Sequence, residues 1–209
     1  MPLYKTITVN KTTKVFIWKI EEPLEDLSEG IKLTAHCQSR VDKMKSELHQ
    51  RGFMSVRHLL AEAGYVDHDL YYDNLGKPHL KDGKHISITH SFNFSGIIIS
   101  DGTHVGIDIE KQRDKITKLA NKFTPIEEYR TLANHEALVR KLTIVWGAKE
   151  SLYKIYEVEG LSFIKDINIQ DFYFDDAQTS GEITFKGNYS TYNIHFLEFE
   201  GFTCVYALQ

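Results

Sequence analysis

The chain has 209 residues, 42% of them hydrophobic and 26% charged, and carries a formal net charge of −4. Those values suit a soluble globular protein of one large domain or two small halves, and the negative balance argues against a broadly basic nucleic-acid binder. Cys37 and Cys204 lie far apart with no C-x-x-C pairing, which argues against a zinc or disulfide framework and fits a reducing cytoplasm. No run approaches the roughly 18 apolar residues of a membrane span, and the N-terminus lacks the apolar core of a signal peptide, so a soluble cytoplasmic protein is expected.

In chain order, Val15-Phe16-Ile17-Trp18 predicts a strand within 6–20, which Pro23 ends. Leu24, Leu27, Ile31, Leu33, Val41, Met44 and Leu48 then fall at mostly helical spacing, with a break at Ser28-Glu29-Gly30. Gly52 punctuates, and 53–63 predicts another helix, stopped at Gly64. A loop with a short strand follows over 65–75, then a turn at Gly76-Lys77-Pro78. Residues 85–90 alternate as a strand that ends in Thr89-His90-Ser91. Strands at 94–100 and 103–110 flank Asp101-Gly102, a hairpin signal that predicts antiparallel neighbours.

In the second of those strands, Val105, Ile107 and Ile109 alternate with Gly106, Asp108 and Glu110. The two carboxylates therefore leave one face, roughly 7 Å apart at the Cα atoms. They repel unless something cationic lies between them, and a hard, oxygen-loving ion such as Mg²⁺ meets that need. Short helices are expected over 111–121 and 124–134, the latter with Thr124 as N-cap and Pro125 at the first helical position. A long helix is expected over 136–157, striped by Leu138, Leu142, Val145, Leu152 and Ile155. Spacing by four sets Trp146, Glu150 and Lys154 along one line of that helix. Taken singly these features are ordinary: D-x-E is common on strands, and Glu150–Lys154 matches a surface pair that stabilises by about 0.3–0.5 kcal/mol. Trp146 suits the core, and for Lys149 structural and phosphate-binding roles both fit. After Gly160, alternating runs at 164–169, 182–186, 192–199 and 202–207 predict three or four antiparallel strands.

Gly106-Ile107-Asp108-Ile109-Glu110 and Trp146-Gly147-Ala148-Lys149-Glu150-Ser151-Leu152-Tyr153-Lys154 stand in order, with 42 positions from Asp108 to Glu150 (150 − 108). With Gly76-Lys77-Pro78 and Ser87-Ile88-Thr89-His90-Ser91 upstream, the chain resembles the 4'-phosphopantetheinyl transferase superfamily. Its length is similar to the larger, single-chain type that activates peptide and polyketide synthases and acyl carrier proteins. The resemblance runs over about half the chain, from Arg57 to Gly160.

That resemblance implies an α+β fold of two similar subdomains in pseudo-twofold arrangement, placed here at 1–102 (the coenzyme A nucleotide side) and 103–209 (the metal site and long helix). It implies transfer of 4'-phosphopantetheine from coenzyme A to a serine of an apo-carrier protein, giving holo-carrier protein and adenosine 3',5'-bisphosphate. Asp108, Glu110 and Glu150 would hold Mg²⁺, with Mn²⁺ the substitute, and Glu150 and Lys154 would be catalytic. Lys45, Arg57, Lys77, Pro78, Thr89, His90 and Lys154 would hold coenzyme A, with Arg57 heading its R-x-L-L helix as a guanidinium able to fork onto a phosphate. Thr89 stands where the family usually has serine and keeps its hydroxyl. Phe123 matches a family phenylalanine in a loop that touches the carrier. A monomer without nucleic-acid or membrane partners is expected. Two other classes remain open: a metal-dependent phosphohydrolase or nuclease, and a non-catalytic coenzyme A-binding protein.

Overall fold

The structure, a computed structural model, describes residues 3–125, 134–156 and 158–209. Its contacts divide the chain into two compact units, Met1–Thr103 and His104–Gln209, and each combines an antiparallel sheet with a long helix. The fold is α+β. No helix among the described residues is long and apolar enough to cross a membrane.

In the first unit, strands β1 (Leu3–Thr8), β2 (Thr13–Lys19), β5 (His85–Ser91) and β6 (Phe94–Ser100) form one sheet in the order β1-β2-β6-β5. A ribbon of β3 (Leu70–Tyr72) and β4 (Pro78–Leu80) brackets the turn at Gly76, whose φ of +89° suits glycine. Helices α1 (Leu24–Ser28), α2 (Ala35–Asp42) and α3 (Glu47–Glu62) lie between β2 and β3. Helix α3 contributes Phe53, Val56, Leu59 and Leu60 to a core with Phe16, Trp18, Ile86, Ile97 and Ile99 of the sheet. The apolar positions of each element thus meet on one side, as their periodicities require.

Two expectations are corrected here. Gly52 does not punctuate: α3 runs through it, and a Cβ there would stand 3.2 Å from the His90 ring. The helix accepts the roughly 1 kcal/mol intrinsic cost of an internal glycine to let that ring approach. Nor does Asp101-Gly102 make a hairpin. Strand β6 pairs with β2 and β5, whereas β7 (Val105–Lys111) belongs to the other sheet and pairs with β11. The tight reversal instead joins β5 to β6 at Phe92, a residue with φ of +53°.

The second unit has a five-stranded sheet in the order β7-β11-β10-β9-β8, with β8 at Ile167–Ile169, β9 at Gln178–Phe185, β10 at Asn188–Phe199 and β11 at Phe202–Leu208. Helix α4 (His135–Tyr156) lies across it, burying Leu142, Val145, Ala148, Leu152 and Ile155 against Ile183, Ile194, Val205 and Ala207. Between β7 and α4 the expected helix at 111–121 is a pair of 3-10 turns, Asp114–Lys118 and Ala120–Lys122. Thr117 Oγ1 donates to the Asp114 carbonyl at 2.8 Å, a local bond that competes with α-helical pairing. Most of the helix expected over 124–134 falls outside the described residues, as does Glu157.

Helix and strand approach more closely than side chains normally allow. A Cβ on Gly106 would lie 2.0 Å from the Ser151 carbonyl oxygen, and one on Gly147 would lie 2.8 Å from Val205 Cγ2. Ser151 Oγ donates to the Val205 carbonyl at 3.1 Å and closes the contact. The clash at Gly106 is with backbone, so α4 must move to relieve it. Gly106→Ala is expected to cost about 3 kcal/mol or more, lowering the thermal midpoint by about 6–12 °C in a protein of this size. A midpoint within 2 °C of wild type by differential scanning calorimetry would show that helix and strand are not in this close register.

Candidate active site

This close packing decides which polar groups of β7 and α4 meet. Gly106, Asp108 and Glu110 share one face of β7, and that face looks onto α4. Asp108 is 7% exposed. Two turns along α4 from Gly147, the Lys154 ammonium donates to Asp108 Oδ1 at 2.9 Å and to the Ile107 carbonyl at 2.7 Å. One turn before Lys154, Glu150 is held among the same groups. Its carboxyl is pushed up from 4.5 to about 7, first by desolvation and next by the negative charge of Asp108; Glu110 adds to this and Lys154 opposes it. The structure therefore brings Asp108, Glu110, Glu150 and Lys154 into one electrostatic cluster.

Three clustered carboxylates form the oxygen-rich, anionic donor set that suits a hard divalent ion, and their mutual repulsion would be relieved by one. The donor chemistry fits. Among the described residues, however, no three His, Cys, Asp or Glu side chains are placed to hold an ion as they stand, and Lys154 now supplies positive charge to Asp108. Glu110 and Glu150 are both half-buried, beside the more enclosed Asp108.

The neighbouring residues of α4 have structural employment. Trp146 packs edge-on against the buried Phe123, with ring centroids 5.1 Å apart, and tilts over Phe163 at 5.6 Å. Lys149, for which two roles were open, is fully buried and donates to the carbonyls of Phe163 and Ile167 at 2.7 Å each.

In the first unit, the expected coenzyme-binding residues are dispersed in their surroundings. Thr89 is buried on β5, while His90, next along, is exposed and lies 6.2 Å from the His49 ring. Lys77 sits in the turn before Pro78, its backbone N–H donating to Asp73 Oδ1 at 3.0 Å. Lys45 is exposed in the link between α2 and α3.

The Arg57 guanidinium is buried at 4% exposure in an ion pair with Asp67. Nε donates to Asp67 Oδ1 at 2.9 Å, Nη1 to the Phe53 carbonyl at 3.1 Å, and Nη2 to Cys37 Sγ at 3.1 Å. Burial pushes the Asp67 carboxyl up, but the Thr34 N–H, the Arg57 charge and the hydrogen bonds from Cys37 and Arg57 together outweigh it and hold the group below its ordinary value. The arrangement braces α2, α3 and the segment before β3.

Sequence reading passed over Arg51 and His49, which belong to the same helix as Gly52. Arg51 Nη2 donates to the Ile20 carbonyl at 3.2 Å, and its buried Nε has no hydrogen-bond partner among the described residues. The overlooked signal was Gly52 itself, whose missing side chain admits the His90 ring.

No curated protein matches the chain. The model of the 4'-phosphopantetheinyl transferase superfamily matches residues 104–207, the segment that holds β7, α4 and the whole five-stranded sheet. That match and the motif stretches it spans lead to one assignment: the chain belongs to the 4'-phosphopantetheinyl transferase superfamily.

Proposed function

We propose that this transferase moves 4'-phosphopantetheine from coenzyme A to a serine hydroxyl of an apo-carrier protein, acyl, peptidyl or polyketide. The observation that carries the reading is the Lys154–Asp108 contact, which joins the two motif stretches of the family-matched segment at 2.9 Å. In this reading Asp108, Glu110 and Glu150 would hold Mg²⁺, or Mn²⁺ in its place. A bound ion would offset the charge of the coenzyme's pyrophosphate.

This chain's own groups do the rest. A serine hydroxyl is a weak nucleophile and must lose its proton as its oxygen attacks the β-phosphorus. Glu150 would be the proton acceptor, its carboxyl pushed up to about 7 by burial and by Asp108 with no ion bound and drawn lower by a cation held there. The new bond joins the serine oxygen to the β-phosphorus, and the bond to the bridging oxygen breaks. Electrons pass to the leaving adenosine 3',5'-bisphosphate. Lys154, held over the strand by the Ile107 carbonyl, presents its positive charge where the phosphoryl charge develops. His90, Lys77, Lys45, Thr89 and Pro78 would hold the anionic and sugar groups of the nucleotide, with His49 and Arg51 beside His90 as further cationic candidates. Arg57 would contribute its guanidinium from a position braced by Asp67.

A partner surface accompanies the site. Lys111 at the end of β7 and Arg113, Lys115, Lys118 and Lys122 along the turns that follow it are exposed, with Asp114 the one acid among them in a chain of net charge −4. An acidic carrier would be steered to such a strip. A soluble, cytoplasmic monomer is the form in which this reaction is expected.

The test is incubation with coenzyme A, Mg²⁺ and a panel of apo-carrier proteins, read by intact-protein mass. One carrier gaining a single phosphopantetheine on its serine is the expected result. Coenzyme A cleaved by water in the absence of carrier would favour a phosphohydrolase, and binding without turnover would leave only a coenzyme-binding protein.

A further inference from the structure

Lys149 and Glu150 are consecutive on α4, so their side chains leave the helix about 100° apart. One enters the core and the other joins the carboxylate cluster. Burying an ammonium costs several kcal/mol unless its protons are satisfied, and here two carbonyls at 2.7 Å receive two of the three. Those carbonyls belong to Phe163 and Ile167, at either end of the segment that leads into β8.

That segment is itself braced. Asp166 accepts from the Ser162 N–H through Oδ2 at 2.7 Å and donates its own N–H to the Ser162 carbonyl at 2.9 Å. The Thr184 N–H on β9 donates to the Asp166 carbonyl at 2.9 Å. On the next position past Glu150, Ser151 Oγ is bonded to Val205 of β11. Glu150 therefore stands between two pins, one to the braced segment and one to the sheet.

We propose that Lys149 is a positioning residue for Glu150. It fixes the rotation of α4 at the catalytic turn and takes no part in holding the coenzyme's phosphates. This rests on the transferase reading given above. The consequence is a separation of effects. A lysine that grips phosphate supports coenzyme binding, whereas a pin behind Glu150 supports turnover once the coenzyme is bound.

The experiment compares wild type, Lys149→Met and Lys149→Gln. It measures coenzyme A affinity by calorimetry and transfer to a carrier at saturating coenzyme, well below every variant's thermal midpoint. Lys149→Met is expected to bind coenzyme A within about 3-fold of wild type while kcat falls by about 10–100-fold, the scale of a displacement near 1 Å at a reacting group. Lys149→Gln, which restores one amide donor toward the carbonyls, should recover part of that loss, and it carries the test if the methionine variant does not fold. Coenzyme affinity weakened by about 10-fold or more overturns the proposal, as does wild-type kcat in a folded Lys149→Met protein. A wild-type protein that modifies no carrier removes the transferase reading, and this proposal falls with it. Wild-type transfer with unshifted variants removes the positioning role alone.

Discussion

Asp108→Ala is expected to lower kcat/KM for carrier modification by about 1000-fold or more while the protein remains folded. Asp108 is the most enclosed of the three acids, and it is the one that Lys154 contacts. Truncation removes a central oxygen donor and also releases Lys154 from one of its acceptors, so two catalytic groups lose their placement together. The Lys154 side chain is 28% exposed and can extend its ammonium into water, so the fold does not inherit an enclosed, unpaired charge. Removing the Asp108 charge leaves burial and Glu110 to hold the Glu150 carboxyl up, so it should move down toward its ordinary value. Asp108→Asn, with the same shape and no charge, should lose transfer nearly as fully, which separates charge from packing. The assay is initial-rate transfer with Mg²⁺ present, beside circular dichroism. A folded Asp108→Ala protein with wild-type rates would leave the proposed acid cluster without a function.

Much of this site was legible because its residues lie on elements with strong periodicity. The alternation of Val105, Ile107 and Ile109 located β7, and the spacing of Leu138, Leu142, Val145 and Leu152 located α4. What pattern could not supply was partners distant in sequence. Arg57 looked available because Asp67 lies ten residues ahead, across the end of α3, and nothing local announces their pairing. Lys149 remained ambiguous for the same reason, since its acceptors are backbone carbonyls that carry no side-chain signature. Asp101-Gly102 is a sound local turn signal, but strand pairing was decided by β2 and β11, far away in the chain. Strand β1 went unseen because most of its residues are exposed, which leaves little apolar alternation to read. Gly106 could be recognised as part of a motif, yet only coordinates explain it, through the Ser151 oxygen that stands where a methyl group would go.

Glu150→Gln should give opposite results in two assays: a more stable protein at alkaline pH and a failed enzyme. With no ion bound, burial and the charges of Asp108 and Glu110 raise the Glu150 carboxyl from 4.5 to about 7. The folded state therefore holds this proton more tightly than the unfolded chain does. The resulting stabilisation is complete below about 4.5 and is lost as pH rises through about 7, where the folded protein must accept a crowded negative charge. The full swing is at most about 3 kcal/mol, reduced by whatever water reaches this partly buried group. Glutamine keeps the shape without titrating. At pH 8 its thermal midpoint should exceed that of metal-free wild type by several degrees, and the gap should narrow steadily toward pH 4.5. Adding Mg²⁺ should raise the wild-type midpoint at pH 8 and move the variant less, because an ion that binds the folded state alone stabilises it by mass action. Transfer should fall by about 100-fold or more, since glutamine cannot take the serine proton. Scanning calorimetry from pH 4.5 to 8, with and without Mg²⁺, reads the stability arm, and intact-protein mass reads the other. If wild type and Glu150→Gln kept parallel midpoints across that range, Glu150 would not be the strained, proton-accepting carboxylate on which the chemistry turns.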